Sequence, residues 1–128
     1  MPQHQTVSFS LNDMLFEYDE EKNRTNIKKH GISFKAAARV FFDYDRIELY
    51  DEENSMEEDR YDVIGDTSAG TTIGNIDRFA DDVDDILYVV YTERESREIS
   101  GSTQIVTRLI SARMATSFER GLYFGKQR

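Results

Sequence analysis

The chain has 128 residues, 38% of them apolar and 32% charged, with one proline and no cysteine. A chain of this length holds one core without staples, and the lack of cysteine excludes disulfide frameworks, iron–sulfur clusters, thiolate zinc sites and cysteine nucleophiles. No stretch nears the ~18 apolar residues of a membrane span, and the opening Met-Pro-Gln-His-Gln-Thr has neither part of a signal peptide; a cytoplasmic domain without a membrane partner is expected.

Net charge is −9, from 25 acidic and 16 basic residues. Such a balance opposes a phosphate-rich partner, because charge neutralisation drives that affinity. The distribution is uneven, however. Residues 51–85 hold 13 acids against Arg60 and Arg78, a local −11, so the remainder sums to +2. Residues 86–128 carry seven basic and four acidic groups, enough for a positive surface on one side of an acidic molecule.

Residues 1–13 are polar without clear period and are expected as a flexible N-terminal extension, the domain proper running over 14–128. Met14-Leu15-Phe16-Glu17-Tyr18 reads as a strand. Asp19, followed by Glu20 and Glu21, has the form of a helix N-cap, and Lys28-Lys29-His30-Gly31 that of a helix end. The helix between them is almost wholly polar, Ile27 being its only large apolar residue. Ser33 then caps a second helix, with Phe34, Ala37, Ala38 and Phe41 as its apolar stripe.

Strands are expected at 46–50, 60–65, 86–92 and 104–112, the third central in the sheet because it is apolar on both faces. An acidic, glycine-rich loop insertion is expected at about 67–85, and a hairpin-like connection at 95–103. Thr116-Ser117-Phe118-Glu119 matches a capping box for a short terminal helix. Phe41, Phe42 and Phe118 are read as core. The sum is an α+β domain: a small antiparallel sheet with two N-terminal helices and one C-terminal helix.

Catalytic signatures begin with absences. The sequence contains no phosphate loop, dinucleotide fingerprint, nucleophile elbow or His-Glu-x-x-His. His4 and His30 are far apart, and the aspartates at 81–85 lack the spacing of a calcium loop, so neither metal nor cofactor is expected. What remains is a set of cations at element ends: Lys28, Lys29 and His30 after the first helix, Arg94 after the central strand, and Arg108 and Arg113 on the last strand. Arginines at a sheet edge can fork onto a phosphate. Metal-free chemistry that fits them is RNA cleavage by the neighbouring 2′-hydroxyl, which needs a base, cations on the phosphorane and an acid for the 5′-oxygen. A histidine can serve as either acid or base. Each residue also has a plainer role: dipole compensation for His30, solvation for Lys28 or Lys29, ion pairing for Arg94 and Arg108.

The blocks Phe16-Glu17-Tyr18-Asp19-Glu20-Glu21-Lys22-Asn23 and Asn26-Ile27-Lys28-Lys29-His30-Gly31-Ile32-Ser33-Phe34, then Arg60-Tyr61-Asp62-Val63-Ile64-Gly65, Tyr91-Thr92-Glu93-Arg94 and Arg108-Leu109-Ile110-Ser111-Ala112-Arg113, resemble the BrnT toxins of type II toxin–antitoxin systems. The resemblance runs over about residues 14–124. It implies a RelE-like fold, metal-independent ribonuclease activity that halts translation, and neutralisation by a small BrnA-like antitoxin that supplies any contact with promoter DNA. It departs from the family at Tyr18, where tryptophan is usual, and in the acidic insertion. On this reading Arg94, Arg108 and Arg113 clamp the scissile phosphate of an RNA substrate. His30 and Lys29 handle protons or charge; Glu17 with Tyr18 contacts or activates the nucleotide, and Lys28 adds to binding. The rival reading is a non-catalytic module that pairs with a DNA-binding antitoxin and acts only in autoregulation.

Overall fold

The computed structural model describes residues 5–68 and 86–125, so all but the first two residues of the acidic insertion expected at about 67–85 lie outside the described residues. The chain first reverses at Asn12 and Asp13, whose φ angles of 46° and 70° are left-handed. Two such residues in succession make the tight turn whose twist suits a hairpin. They join β1 (Thr6–Leu11) to β2 (Met14–Asp19) as antiparallel partners, from Thr6↔Asp19 to Leu11↔Met14. The expected loose extension is therefore a strand over 6–11. Its period of two is carried by half-buried Val7, Phe9 and Leu11 alternating with exposed Thr6, Ser8 and Ser10, and small hydroxyl residues in the polar positions left the alternation weak in sequence.

Helix α1 (Glu20–His30) starts and stops as its caps require. The Asp19 carboxylate accepts from the Lys22 N–H at 3.1 Å, and Gly31 takes φ 71°, donating its N–H to the Ile27 carbonyl at 2.7 Å. Its two buried residues are Asn23 and Asn26. Asn26 Nδ2 donates to the carbonyls of Ala112 (2.8 Å) and Ile32 (2.9 Å), while its Oδ1 accepts from the Ala112 N–H (3.1 Å). Asn23 Oδ1 accepts from the Phe34 N–H at 2.9 Å. A polar helix thus docks through amide side chains that satisfy backbone groups which burial would otherwise orphan.

Ser33 caps α2 (Phe34–Ala37), accepting from the Ala36 N–H at 3.1 Å. The expected second helix is only one α-turn long and tightens into a 3₁₀ segment, Ala38–Phe42. Phe34, Ala37, Ala38 and Phe41 are nonetheless all buried. This segment presses on the sheet at Gly65, where an added Cβ would stand 2.9 Å from the Val40 Cβ.

The remaining elements are β3 (Ile47–Tyr50), a 3₁₀ turn (Glu52–Asn54), β4 (Arg60–Asp66), β5 (Ile86–Arg97), β6 (Thr103–Met114) and α3 (Ser117–Gly125). Among the described residues six strands form one sheet in the order β1-β2-β6-β5-β4-β3. The sheet is mixed and larger than expected: β2 lies parallel to β6, with Glu17 opposite Arg108, and all other pairings are antiparallel. The helices also sit differently, since α1 and α2 follow a two-strand hairpin where a single strand is expected before them. No helix among the described residues is long and apolar enough to cross a membrane.

One face of the sheet packs Phe16, Tyr18, Val63, Leu87, Val89, Tyr91 and Leu109 against Ile32, Phe34, Val40 and Phe41 as the main core. Among the described residues the other is covered at one end, where Tyr123 of α3 meets Ile64 and Ile86. Phe118 of α3 is 75% exposed, against the expectation of a core residue; the capping box fixes where the helix starts and leaves the facing of its side chains to packing.

Candidate functional site

Cross-strand partners in a sheet share a face, so the register defines what the open face carries. One row across it is Ser10 of β1, Leu15 of β2, Val106 of β6 and Arg94 of β5; the next is Ser8, Glu17, Arg108 and Thr92. Further along come Ser111 with Val90 and Asp62, then Arg113 with Tyr88. Arg108 and Arg113 are five residues apart, which in a regular strand would put them on opposite faces. The register shifts between Val90↔Ser111 and Tyr91↔Leu109 and leaves Ile110 without a partner. That one extra residue is a β-bulge, and it brings Arg113 to the face of Arg108 and Arg94.

Glu17 is the centre of the first cluster. It is 2% exposed, and its carboxylate accepts from Arg94 Nε at 2.8 Å, Arg94 Nη2 at 2.5 Å and Arg108 Nη1 at 2.9 Å. The two arginine side chains remain 50% and 33% exposed. The hydrogen bonds from Arg94, aided by Arg108 and opposed by burial, hold the Glu17 carboxyl below its ordinary pKa, and the same bond raises that of Arg94. An ionised carboxylate already holding two guanidiniums is a poor proton acceptor. It suits a different task, which is to align two cations at the surface. Of the five N–H donors in each guanidinium, two of Arg94 and one of Arg108 go to Glu17, and the cluster carries a net +1.

Arg113 stands in a second cluster. Its Nη1 and Nη2 donate to the two oxygens of Glu119 at 2.8 and 2.9 Å, and its guanidinium lies 4.2 Å from the Tyr88 ring centroid. Glu119 also accepts from the Thr116 N–H at 2.8 Å, while its own N–H donates to Thr116 Oγ1 at 3.2 Å. The expected capping box therefore closes and anchors Arg113 as well. Beneath it the Tyr88 hydroxyl donates to Asp62 Oδ2 at 2.5 Å. Asp62 is 6% exposed and its Oδ1 has no hydrogen-bond partner among the described residues; burial pushes its pKa up. Neither Asp62 nor Tyr88 stood out as a site residue in the sequence. The available signal was an acid inside the otherwise buried run Asp62-Val63-Ile64-Gly65.

The other expected site residues disperse. Lys29 and His30 line a cleft of about 390 Å³ between α1 and β6 with Ile110 and Ser111; Lys28 is exposed at the same helix end. Tyr18 points to the helix-covered face. It is 4% exposed and packs edge-on against Phe34 and Phe9, so it is a core residue and presents no surface to a nucleotide. The neighbouring Glu17 faces the other way because successive strand residues alternate. Thus the three arginines share a face, but Arg94 and Arg108 converge while Arg113 stands four β5 residues away, a separation of roughly 13 Å along the strand.

Residues 18–76 match the family model described as ribonuclease toxin, BrnT, of type II toxin-antitoxin system. The matched segment contains Lys28, Lys29, His30 and Asp62, whereas Glu17 and the three arginines lie outside it. No curated protein matches the chain.

Proposed function

We propose that this member of the BrnT family, recognised as one over residues 18–76, cleaves RNA without a metal ion and thereby inhibits translation. The family is one of ribonuclease toxins of type II systems, and a toxin of that kind has a cognate antitoxin. The observation that carries the finer reading is the buried Glu17 carboxylate holding Arg94 and Arg108 side by side on the open face. Two pre-aligned guanidiniums fit the non-bridging oxygens of a phosphodiester and gain strength as negative charge builds on the phosphorane. The 2′-hydroxyl gives up its proton to a base as its oxygen attacks phosphorus, the bond to the 5′-oxygen breaks and that oxygen takes up a proton, and a 2′,3′-cyclic phosphate is left. His30 and Lys29 are assigned the proton and charge roles from the cleft beside Ser111. Glu17 is a positioning residue, and Arg113 serves the strand farther along the same face.

The partner is proposed as a small BrnA-like antitoxin. It covers the cationic face, and it supplies the contact to promoter DNA, since a chain of net charge −9 offers duplex DNA little counterion release.

The test is RNA cleavage in excess chelator by the wild type and by Arg94→Ala and Arg108→Ala. We expect cleavage with cyclic phosphate ends, and a loss of about 10²-fold in each variant. Activity that needs added magnesium, or variants as active as the wild type, would overturn the mechanism. Growth unaffected by expression of the wild-type chain without antitoxin, together with antitoxin binding in a separate pull-down, would favour a non-catalytic module.

A further inference from the structure

Beside the Glu17 cluster the open face sinks into a cleft of about 350 Å³, walled by Ser8 and Ser10 on β1 and by Arg94 and Ser96 on β5, with Leu15 and Val106 in its floor. The register explains this layout: the row Ser10, Leu15, Val106, Arg94 spans four adjacent strands, about 14 Å from β1 to β5. An apolar centre is thus bordered by hydroxyls on one side and by a half-exposed guanidinium on the other. The hydroxyl wall belongs to the strand formed by residues 6–11, outside the segment matched by the family model.

We propose that this cleft is a subsite for one unpaired nucleotide of the RNA, adjacent to the phosphate that Arg94 and Arg108 hold. The inference rests on the arginine reading above and extends it to what the substrate must look like. The flat apolar face of a base lies on Leu15 and Val106. Its polar edge meets the Ser8 and Ser10 hydroxyls, which donate and accept alike and so can pair with the edge of a splayed base. Arg94, at the end of the row, takes the phosphate of the same nucleotide. A base still paired in an A-form helix cannot lay its face on this floor, so the subsite selects single-stranded RNA.

The experiment measures binding of fluorescein-labelled oligonucleotides with 2′-deoxyribose, which cannot undergo the cleavage, by anisotropy. The set has one single strand for each base type and a blunt duplex. We expect saturable binding of single strands with a preference among bases and at least tenfold weaker binding of the duplex. In the Ser8→Ala/Ser10→Ala double variant, single-strand binding should weaken by roughly tenfold and the preference flatten, since each lost hydrogen bond costs a few-fold. Both serines are exposed, and an unchanged melting temperature confirms that the variant is folded. Ser10→Trp, which fills the cleft, should abolish the preference.

Equal binding of duplex and single strand, wild-type behaviour of both serine variants, or no saturable binding by the wild type would each overturn the subsite. Arg94→Ala separates the two levels. If it binds like the wild type, the phosphate reading fails as well; if it weakens binding while the serine variants do not, only the subsite fails.

Discussion

The two faces of one sheet are built on opposite principles. Under α1 and α2 the face is a run of contacting rings, from Phe9 and Tyr18 through Phe16, Phe41 and Tyr91 to Tyr61, with ring centroids 4.9–5.9 Å apart. On the opposite face, Glu17, Arg94, Arg108, Arg113 and Asp62 occupy the equivalent rows. The first face holds the fold together by excluding water. The second spends burial on a carboxylate in order to orient two cations that stay half in solvent, which is a poor way to gain stability and a good way to preorganise a phosphate site. If the proposed phosphate site is right, stability and function are separable by face, although the residues alternate along the same strands.

The strongest way to break this comparison is to substitute one residue of each face. Phe34→Ala on the core side should cost about 3–5 kcal/mol of unfolding free energy in denaturant titrations, because the side chain is wholly buried. Arg94→Ala should cost less unfolding free energy than Phe34→Ala, because Arg108 still holds the buried Glu17 carboxylate, while lowering cleavage by about 10²-fold. A large stability loss from Arg94→Ala would make its pair with Glu17 structural and dissolve the distinction.

Glu17→Gln sharpens the comparison. The amide keeps the shape but no longer fixes both guanidiniums by charge, so kcat should fall by about tenfold with little change in KM. A change confined to KM would instead place Glu17 in substrate contact.

Smaller effects appear in the pH dependence of the melting temperature. Glu17 and Glu119 ionise more readily in the folded chain, lowered by their arginine partners. Their contribution is complete above the ordinary glutamate pKa and is lost as pH falls through the depressed folded values. Asp62 is shifted the other way by burial. Its contribution is complete below the ordinary aspartate pKa and is lost as pH rises through the raised folded value. Glu119→Gln should thus weaken the acid-side fall in stability, and Asp62→Asn should remove a decline on the neutral side. If Asp62→Asn leaves that limb unchanged, the carboxyl is more solvated than its 6% exposure implies.

The smallest effect belongs to the hairpin that carries the serine wall. Asp13 holds φ 70°, which glycine adopts without strain, so Asp13→Gly should raise stability by a few tenths of a kcal/mol in denaturant titrations. A destabilisation would show that the Asp13 side chain holds the turn.

Local chemistry was legible in the sequence. The Asp19 and Ser33 caps, the Gly31 stop, the Thr116–Glu119 box, the burial of Phe34, Ala37, Ala38 and Phe41 and the central place of β5 all follow from residues a few positions apart, whose backbone needs are met nearby. Tertiary structure decided the rest. That 6–11 is a strand depends on β2 being there to pair with it. That Glu17 is buried between two arginines depends on β2 meeting β6 in parallel, a contact across 91 residues. The unpaired Ile110, which sets Arg113 on the same face as Arg108, has no signature in the run Arg108-Leu109-Ile110-Ser111-Ala112-Arg113, because a bulge exists only relative to a partner strand. Sequence names which side chains are charged; the register between distant strands determines which of them meet.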